Sequence, residues 1–188
     1  VMRSIRSIES SDVCIHIIDA TRGFEAQDQR IFHIADKNKK GIIILVNKWD
    51  LVKKSTNSTI IIEEKIKEKI SPFIDVPIIF ISATNKQRLL KALELSIEVF
   101  KNRKQRISTS VLNNTMLPLI EHRPPPAIKG KYIKIKYCTQ LPVNVPTFVF
   151  FANLPQYIKE PYKRYLENQL RREFNFSGVP ITIYFRKK

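Results

Sequence analysis

Four consecutive residues after an aliphatic run carry the side chains needed to recognise a planar base. The run "GIIILV" reads as a buried strand, and it is followed at once by Asn47, Lys48, Trp49 and Asp50. The Asp50 carboxylate can accept two parallel hydrogen bonds from a planar donor pair, and guanine presents such a pair. Adenine presents the reverse pattern and would leave the carboxylate unpaired. The chemistry indicated by this stretch is therefore selective binding of guanine.

The neighbouring residues and a second polar loop complete the predicted pocket. The methylene stem of Lys48 can lie along a base while its ammonium reaches water, and Asn47 can tie its loop to the next one. We expect Trp49 to pack beneath the loop. In "FISATN", Ser82 and Ala83 end the following strand, where the backbone N–H of Ala83 can donate to the guanine carbonyl oxygen.

A parallel sheet must bring these two loops together. Apolar runs at residues 13–18, 42–46 and 77–82 predict strands buried on both faces. Segments with helical periodicity occupy residues 2–11, 26–40, 58–70 and 86–102. Repeated strand, helix, strand units imply right-handed crossovers, with ligands bound at the carboxyl ends of the strands. The first part of the chain is therefore predicted to be α/β.

The second part follows a different plan. Nine of the eleven prolines lie beyond residue 106. We predict helices at residues 108–122 and 161–174 and strands at residues 131–138, 147–151 and 180–185, with Pro118 kinking or ending the first helix. One helical stripe should contain Val111, Leu112, Met116, Leu119 and Ile120. Alternation should place Ile133, Ile135 and Tyr137 on one strand face, with Lys134 and Lys136 on the other. This order makes a small α+β domain whose sheet is open on one side.

The net charge of +16 is concentrated in that second part. Residues 1–100 contain 16 basic and 13 acidic residues, whereas residues 101–188 contain 17 and 4. A polyanion is the natural partner for such a segment. The alternative is a solvated basic surface that keeps the protein in solution.

The cysteines and the lengths of the apolar runs indicate the cellular compartment of the chain. Cys14 and Cys138 lie in apolar runs without a CxxC pair, so we expect buried thiols in a reducing compartment. The longest aliphatic runs are far shorter than a membrane span of about 20 residues. We therefore expect a cytoplasmic protein with no membrane partner. Because the chain begins at Val1 and enters a helical pattern immediately, we expect it to be part of something longer.

A phosphate-binding loop is not recognisable in the sequence. Only four glycines occur, and none has the spacing of G-x-x-x-x-G-K-[ST]. The "GKY" at residues 130–132 lacks the first glycine and the magnesium-binding hydroxyl. Three scattered histidines do not suggest a metal site, and Asp19 is interpreted as a turn and helix-cap residue rather than a metal ligand. We therefore predict no catalytic residue and no metal ligand in these 188 residues, and no GTP hydrolysis by them alone.

The motifs resemble those of a known family. "NKWD" followed one strand later by "SA" resembles the base-recognition motifs of Ras-like, translation-factor-related GTPases. "SIESSDVCIHIIDATRGFEAQDQRI", "VNKWDLV", "HRPPPAIKGKYIKIKYCTQ" and "PYKRYLENQLRREFNFSGVPITIYFRKK" resemble the C-terminal part of the Der (EngA) family of bacterial GTPases. The loop "TNKQR" departs from the family pattern because it contains no glycine.

This resemblance implies a domain organisation and a function. Residues 1–106 would be the C-terminal half of a Ras-like (P-loop NTPase) domain with a parallel sheet, the second of two tandem GTPase domains, and residues 107–188 a KH-like domain. The family implies GTP or GDP as ligand, Mg²⁺ held by residues outside this chain, and GTP hydrolysis in late maturation of the large (50S) ribosomal subunit. Partners would be the 50S precursor, its rRNA and ribosomal proteins, and the N-terminal GTPase domain of the same protein.

The KH-like part departs from ordinary RNA-binding KH domains because it has no GXXG loop. Basic residues could instead contact folded rRNA, and the candidates are Lys134, Lys136, Lys159, Arg164, Arg171 and Arg172. One alternative is a non-enzymatic rRNA-binding or ribosome-binding module with a vestigial guanine pocket. Another is Era, a related GTPase with a KH domain, which the missing GXXG disfavours.

Overall fold

A computed structural model describes residues 2–53, 57–128 and 130–187. The chain divides into two compact units. Unit 1 contains the residues up to Arg103 together with Ser177–Pro180, and unit 2 contains Lys104–Phe176 together with the residues from Ile181 onward. The predicted combination of an α/β part and an α+β part is confirmed.

Unit 1 is built on a parallel sheet of three strands. They are β1 (Val13–Asp19), β2 (Gly41–Asn47) and β3 (Ile78–Phe80), in the order β1, β2, β3. Strand β2 lies in the centre and is buried from Gly41 to Val46, as its unbroken aliphatic sequence predicts. Its alternate side chains enter two apolar clusters on opposite faces of the sheet, since Ile42, Ile44 and Val46 belong to one and Ile43 and Leu45 to the other.

Four helices cover this sheet. They are α1 (Met2–Ser10), α2 (Ala26–Lys37), α3 (Ser58–Ile70) and α4 (Leu89–Lys104), the last ending one residue beyond the unit. Helix α2 begins with a capping box in which Asp28 accepts from the N–H of Glu25 at 2.9 Å. Asp28 also lies 3.2 Å from the ring nitrogen Nε2 of the buried His16. His16 is therefore held by a local carboxylate.

Unit 2 is an α+β layer. Strands β4 (Ile135–Gln140), β5 (Thr147–Ala152) and β6 (Thr182–Lys187) form a sheet in that order, antiparallel between β4 and β5 and parallel between β5 and β6. Helices α5 (Thr109–His122) and α6 (Glu160–Glu173) bury Leu112, Met116, Ile120, Tyr162, Leu166 and Leu170 in one core with the sheet.

The predicted alternation in β4 is wrong beyond Ile135. The pairing register with β5 shifts between Ile135 and Tyr137, which is a bulge that inserts one extra residue. Cys138 consequently enters the core, and Tyr137 is only half-buried and stacks on Phe151 with ring centroids 4.4 Å apart. Because side chains alternate with a period of two, one inserted residue reverses the face of everything after it.

Two other expectations also differ from the structure. Helix α5 continues through Pro118 to His122, so of the two predicted effects, a kink or an end, the end does not occur. Val111 is 50% exposed and does not share the buried stripe with Leu112 and Met116. Cys138 is buried as expected, and burial raises the pKa of its thiol to about 12. Cys14 is only half-buried.

No helix in the described part of the chain is both long and apolar enough to cross a membrane. The bounds of the predicted helices and strands agree with the observed ones within a few residues at each end.

Candidate functional site

The loop after β2 leaves the sheet at its carboxyl edge. Asn47 is the last residue of the strand, Lys48 has a left-handed backbone with φ of 61°, and Trp49–Leu51 forms a single 3-10 turn. A non-glycine residue in that region is uncommon and recurs at functional sites, where the surrounding structure holds it in place. The backbone therefore turns sharply enough to present Asp50 at the sheet edge.

A side-chain contact joins this loop to the loop after β3. The Oδ1 of Asn47 accepts from the backbone N–H of Ala83 at 3.0 Å. Ser82 is fully buried, and its Oγ accepts from the N–H of Asn85 at 3.2 Å, which closes the second loop on itself. The structure thus brings Asn47, Ser82 and Ala83 together, in the arrangement that the sequence predicts for Asn47.

The same contact modifies one expectation. The N–H of Ala83 is already paired with Asn47, so donation to a guanine carbonyl oxygen requires this N–H to be shared or exchanged. The glycine-free "TNKQR" segment turns by giving Lys86 and Arg88 left-handed backbones, with φ of 54° and 58°. The turn therefore forms without a glycine, at a cost in backbone strain.

Trp49 anchors the loop from below, as expected. Its side chain is buried, and its ring centroid lies 4.5 Å from that of Phe80. The backbone N–H of Trp49 donates to the carbonyl of Ile81 at 3.1 Å. Packing beneath the loop fixes the position of the residues on either side of the indole.

Lys48 has a partner that the sequence analysis missed. Its ammonium does not simply reach water, because it lies 2.6 Å from Oδ2 of Asp19 at the end of β1. The hydroxyl and the backbone N–H of Thr21 donate to Oδ1 of the same carboxylate. The signal was available, because Asp19 and Asn47 are the last residues of adjacent parallel strands and pair in register.

The bond from Lys48, and then those from Thr21, hold the pKa of Asp19 well below its ordinary value of 3.8. A lowered pKa means that the ionised form of Asp19 stabilises the fold at neutral pH and that this contribution is lost as the pH falls through the folded-state pKa.

We expect Lys48→Met to move the pKa of Asp19 upward toward 3.8, measured by the carboxyl ¹³C shift of Asp19 against pH. Lys53→Met, at an exposed lysine just after the turn, should leave it unchanged, and an unaltered titration in Lys48→Met would show that the pair does not form in solution.

Asp50 is the residue of the site whose carboxylate is available to a ligand. Its side chain is exposed, and with the residues that the structure describes it makes no hydrogen bond or ion pair. A carboxylate of this kind keeps both oxygens available to accept from a ligand. Asp50 therefore retains the bonding capacity that guanine recognition requires.

The six predicted RNA-contacting residues fall in two places. Lys134 and Lys136 are exposed at the start of β4, whereas Lys159 precedes α6 and Arg164, Arg171 and Arg172 lie on α6. Arg171 is held internally, since it bonds to Glu167 at 3.0 Å and to the carbonyl of Phe176 at 3.2 Å. Arg172 lies 3.9 Å from Glu173. Lys134 and Lys136 are thus more available to a polyanion than Arg171 and Arg172.

The residues that the structure describes contain no cluster of metal-binding side chains. Across residues 2–53, 57–128 and 130–187, no group of three or more His, Cys, Asp and Glu side chains is placed to hold a metal ion. A cavity of about 270 Å³ lies elsewhere in unit 1, and its lining includes Ser11, Cys14 and His16. The loops form an open edge of the sheet.

Comparisons with known proteins agree with the motifs. Residues 1–102 match the family described as the elongation factor Tu GTP binding domain. Residues 106–186 match the family described as the KH-domain-like of EngA bacterial GTPase enzymes, C-terminal.

Curated relatives extend over the whole chain. It is 67% identical to GTPase Der of Flavobacterium johnsoniae and 65% identical to GTPase Der of Flavobacterium psychrophilum, in both cases over 100% of this chain and 43% of the relative. A solved structure of Era with MgGDPNP and 16S ribosomal RNA aligns with 98% of this chain and 67% of its own, with 18% identity and a TM-score of 0.42, which is too low to support a conclusion. The chain spans less than half the length of the curated relatives. The chain belongs to the elongation factor Tu GTP binding domain family, and its likeness to GTPase Der over the whole of its own length confirms the predicted resemblance to the Der (EngA) family.

Proposed function

We propose that the chain supplies the guanine-recognition part of a GTPase that acts in late maturation of the large (50S) ribosomal subunit. Its base-binding residues are Asn47, Lys48, Trp49, Asp50, Ser82 and Ala83. The observation that carries the proposal is the Asp50 carboxylate, which has no partner among the described residues and lies on a turn just after Asn47, the residue tied to the Ala83 loop. GTP and GDP are the corresponding ligands.

Each residue of the pocket has a separate task. Asp50 accepts from the imino and amino groups of guanine, which adenine cannot supply in that arrangement. The stem of Lys48 covers the base, with its ammonium restrained by Asp19. Asn47 and Ser82 hold the two loops in place, and Trp49 supports them from the core. The pocket is therefore largely organised before the base enters it, which lowers the entropy cost of binding.

Hydrolysis requires groups that hold the phosphates and a metal ion. Positioned phosphates and a bound Mg²⁺ are general requirements of phosphoryl transfer, and we find neither a phosphate-loop sequence nor a metal cluster among the described residues. We infer that GTP hydrolysis belongs to the intact protein and that the 188-residue chain is inactive alone. Any catalytic residues and Mg²⁺ ligands would lie outside it.

The remaining assignments extend the same proposal. Residues 1–106 and 107–188 are proposed as the functional domains, the second being KH-like and in contact with rRNA and ribosomal proteins of the 50S precursor. An N-terminal GTPase domain of the same protein is a further proposed partner, and the cytoplasm is the proposed location. What supports an RNA contact is the excess of basic residues in the second part of the chain.

One experiment separates the enzymatic proposal from its alternative, an rRNA-binding module with a vestigial guanine pocket. The full-length gene product is expected to hydrolyse GTP and to bind precursors of the large subunit in a nucleotide-dependent way, whereas the 188-residue chain should not hydrolyse GTP. Multiple-turnover phosphate release and sedimentation with precursor particles measure the two properties. Undiminished association without nucleotide, together with no GTP hydrolysis by the full-length product, would favour the binding module.

A further inference from the structure

One end of the sheet in unit 2 carries a group of cations around an exposed tyrosine. Pairing places Ile135 beside Ala152 and Ala152 beside Lys187, so the start of β4 lies at the same end as the last residues of β5 and β6. We name this the sheet-end cluster, and its members are Lys131, Tyr132, Lys134, Lys136, Arg186 and Lys187.

The sheet-end cluster carries positive charge without a counter-charge in the part of the chain that the structure describes. None of its five cationic side chains makes an ion pair or a hydrogen bond with any residue that the structure describes. On α6, by contrast, Lys163 pairs with Glu160 at 3.4 Å and Arg171 pairs with Glu167 at 3.0 Å. Adjacent cations without counter-charges repel one another and favour a polyanionic ligand.

Tyr132 is presented by a fixed backbone. Its side chain is 84% exposed, the highest value among the large apolar and aromatic side chains exposed in the structure. Its carbonyl accepts from Nδ2 of Asn153 at 3.0 Å, while the N–H of Lys134 donates to Oδ1 of the same amide at 2.8 Å. Lys134 also accepts through its carbonyl from the N–H of Asn153. The ring is thus held out from an ordered segment, which lowers the entropy lost when a ligand stacks on it.

We propose that Tyr132 stacks on an unpaired base of RNA while Lys131 and Lys134 bind the flanking phosphates. A single-stranded segment fits better than a duplex, because base faces in an A-form helix are already stacked. The proposal rests on the function proposed above, rRNA binding by unit 2, and it adds a contact independent of a GXXG loop. Five cations without a partner among the described residues favour nucleic acid over an apolar protein surface as the occupant.

The test uses the full chain and two RNA probes. One is a single strand roughly ten nucleotides long with a central 2-aminopurine, and the other is a duplex of the same length. Tyr132→Ala and Tyr132→Leu are expected to weaken single-strand binding by roughly 5- to 150-fold, since stacking on one base is worth about 1–3 kcal/mol. Tyr132→Phe keeps the ring and should bind within about twofold of the original chain. Quenching of 2-aminopurine should be lost in the first two variants only, and duplex binding should change little in all three.

A charge comparison accompanies these variants. Lys134→Ala should weaken binding of both probes and lower the slope of log affinity against log salt by about 1. Lys101→Ala removes an exposed cation from α4, outside the cluster. It should change neither the affinity for the two probes nor the slope against log salt. If Lys134→Ala and Lys101→Ala weakened RNA binding equally, the proposed phosphate contact of Lys134 would be overturned.

The outcomes separate the inference from the function on which it rests. Normal single-strand binding by Tyr132→Ala, with salt-sensitive binding intact, would overturn stacking and leave RNA binding standing. Tyr132→Leu binding as tightly as Tyr132→Phe would assign the ring to an apolar contact instead, which also overturns the inference. Binding of neither probe by the original chain at about 50 mM salt would remove both the inference and the RNA-binding proposal.

Discussion

Asp50→Ala is expected to weaken GDP binding by the full-length gene product by roughly 30- to 5,000-fold. The variant removes both acceptors for the imino and amino groups of guanine, and losing the charged partner of such a hydrogen-bonded pair costs about 2–5 kcal/mol. Stability should change by less than about 0.5 kcal/mol, because the side chain is exposed and unpaired within the described chain. Calorimetric titration with GDP and ADP measures the effect, and the preference for GDP over ADP should fall with it.

A second substitution, Asp50→Asn, is expected to change which base the protein prefers. An amide offers one acceptor and one donor, so it no longer matches the two donors of guanine but does match the imino donor and neighbouring carbonyl acceptor of xanthine. The preference should move from GDP to xanthosine diphosphate. Retention of full GDP affinity by both variants would exclude Asp50 from the pocket.

Gly178→Ala is expected to destabilise unit 1 by about 2–5 kcal/mol, combining a left-handed backbone with overpacking. Gly178 has φ of +75°, and an added Cβ would lie 2.6 Å from Val99 Cγ2 and 2.9 Å from the carbonyl oxygen of Ile42. That carbonyl and its neighbours cannot move freely, since the N–H of Ile42 donates to the carbonyl of Gly178 at 2.7 Å. Urea unfolding measures the loss, and amide hydrogen exchange at Ile42 should accelerate.

Two glycines provide matched controls for the backbone and packing contributions. Gly23 has φ of +76° with no atom within 4 Å of an added Cβ, so Gly23→Ala should cost only the backbone strain of about 1–2 kcal/mol. Gly41 lacks the positive φ, but its added Cβ would lie 2.7 Å from Val99 Cγ1, so Gly41→Ala isolates the overpacking. A loss in Gly178→Ala no larger than in Gly23→Ala would show that the segment 177–180 does not pack in solution as it does in the structure.

Local patterns were sufficient for much of the fold. Strand β2 follows its predicted run within one residue at each end, because a continuous aliphatic stretch between turn residues has few other solutions. Helix α2 begins at Ala26 as its helical periodicity predicts, and the structure adds a capping box formed by Glu25 and Asp28. The position of Asn47 at a strand end, and hence its reach to the next loop, followed from the same pattern.

Features set by partners distant in sequence were harder to predict. The bulge before Tyr137 depends on pairing with Phe151, and the alternation of side chains alone does not encode it. The bond between Lys48 and Asp19 depends on the register of two strands 29 residues apart. Charge counts likewise marked Arg171 as an RNA contact, although Glu167 engages it within the same helix. Propensity describes single segments, whereas these contacts arise when segments meet.

The most direct test of the guanine pocket is to map the amide chemical shifts of the full-length gene product during titration with GDP and with ADP. We predict that GDP shifts the N–H signals of Asp50 and Ala83 and the side-chain amide of Asn47, and that ADP at equal concentration leaves them in place. Equal shifts with both nucleotides, or GDP shifts confined to other parts of the protein, would contradict guanine recognition by these loops.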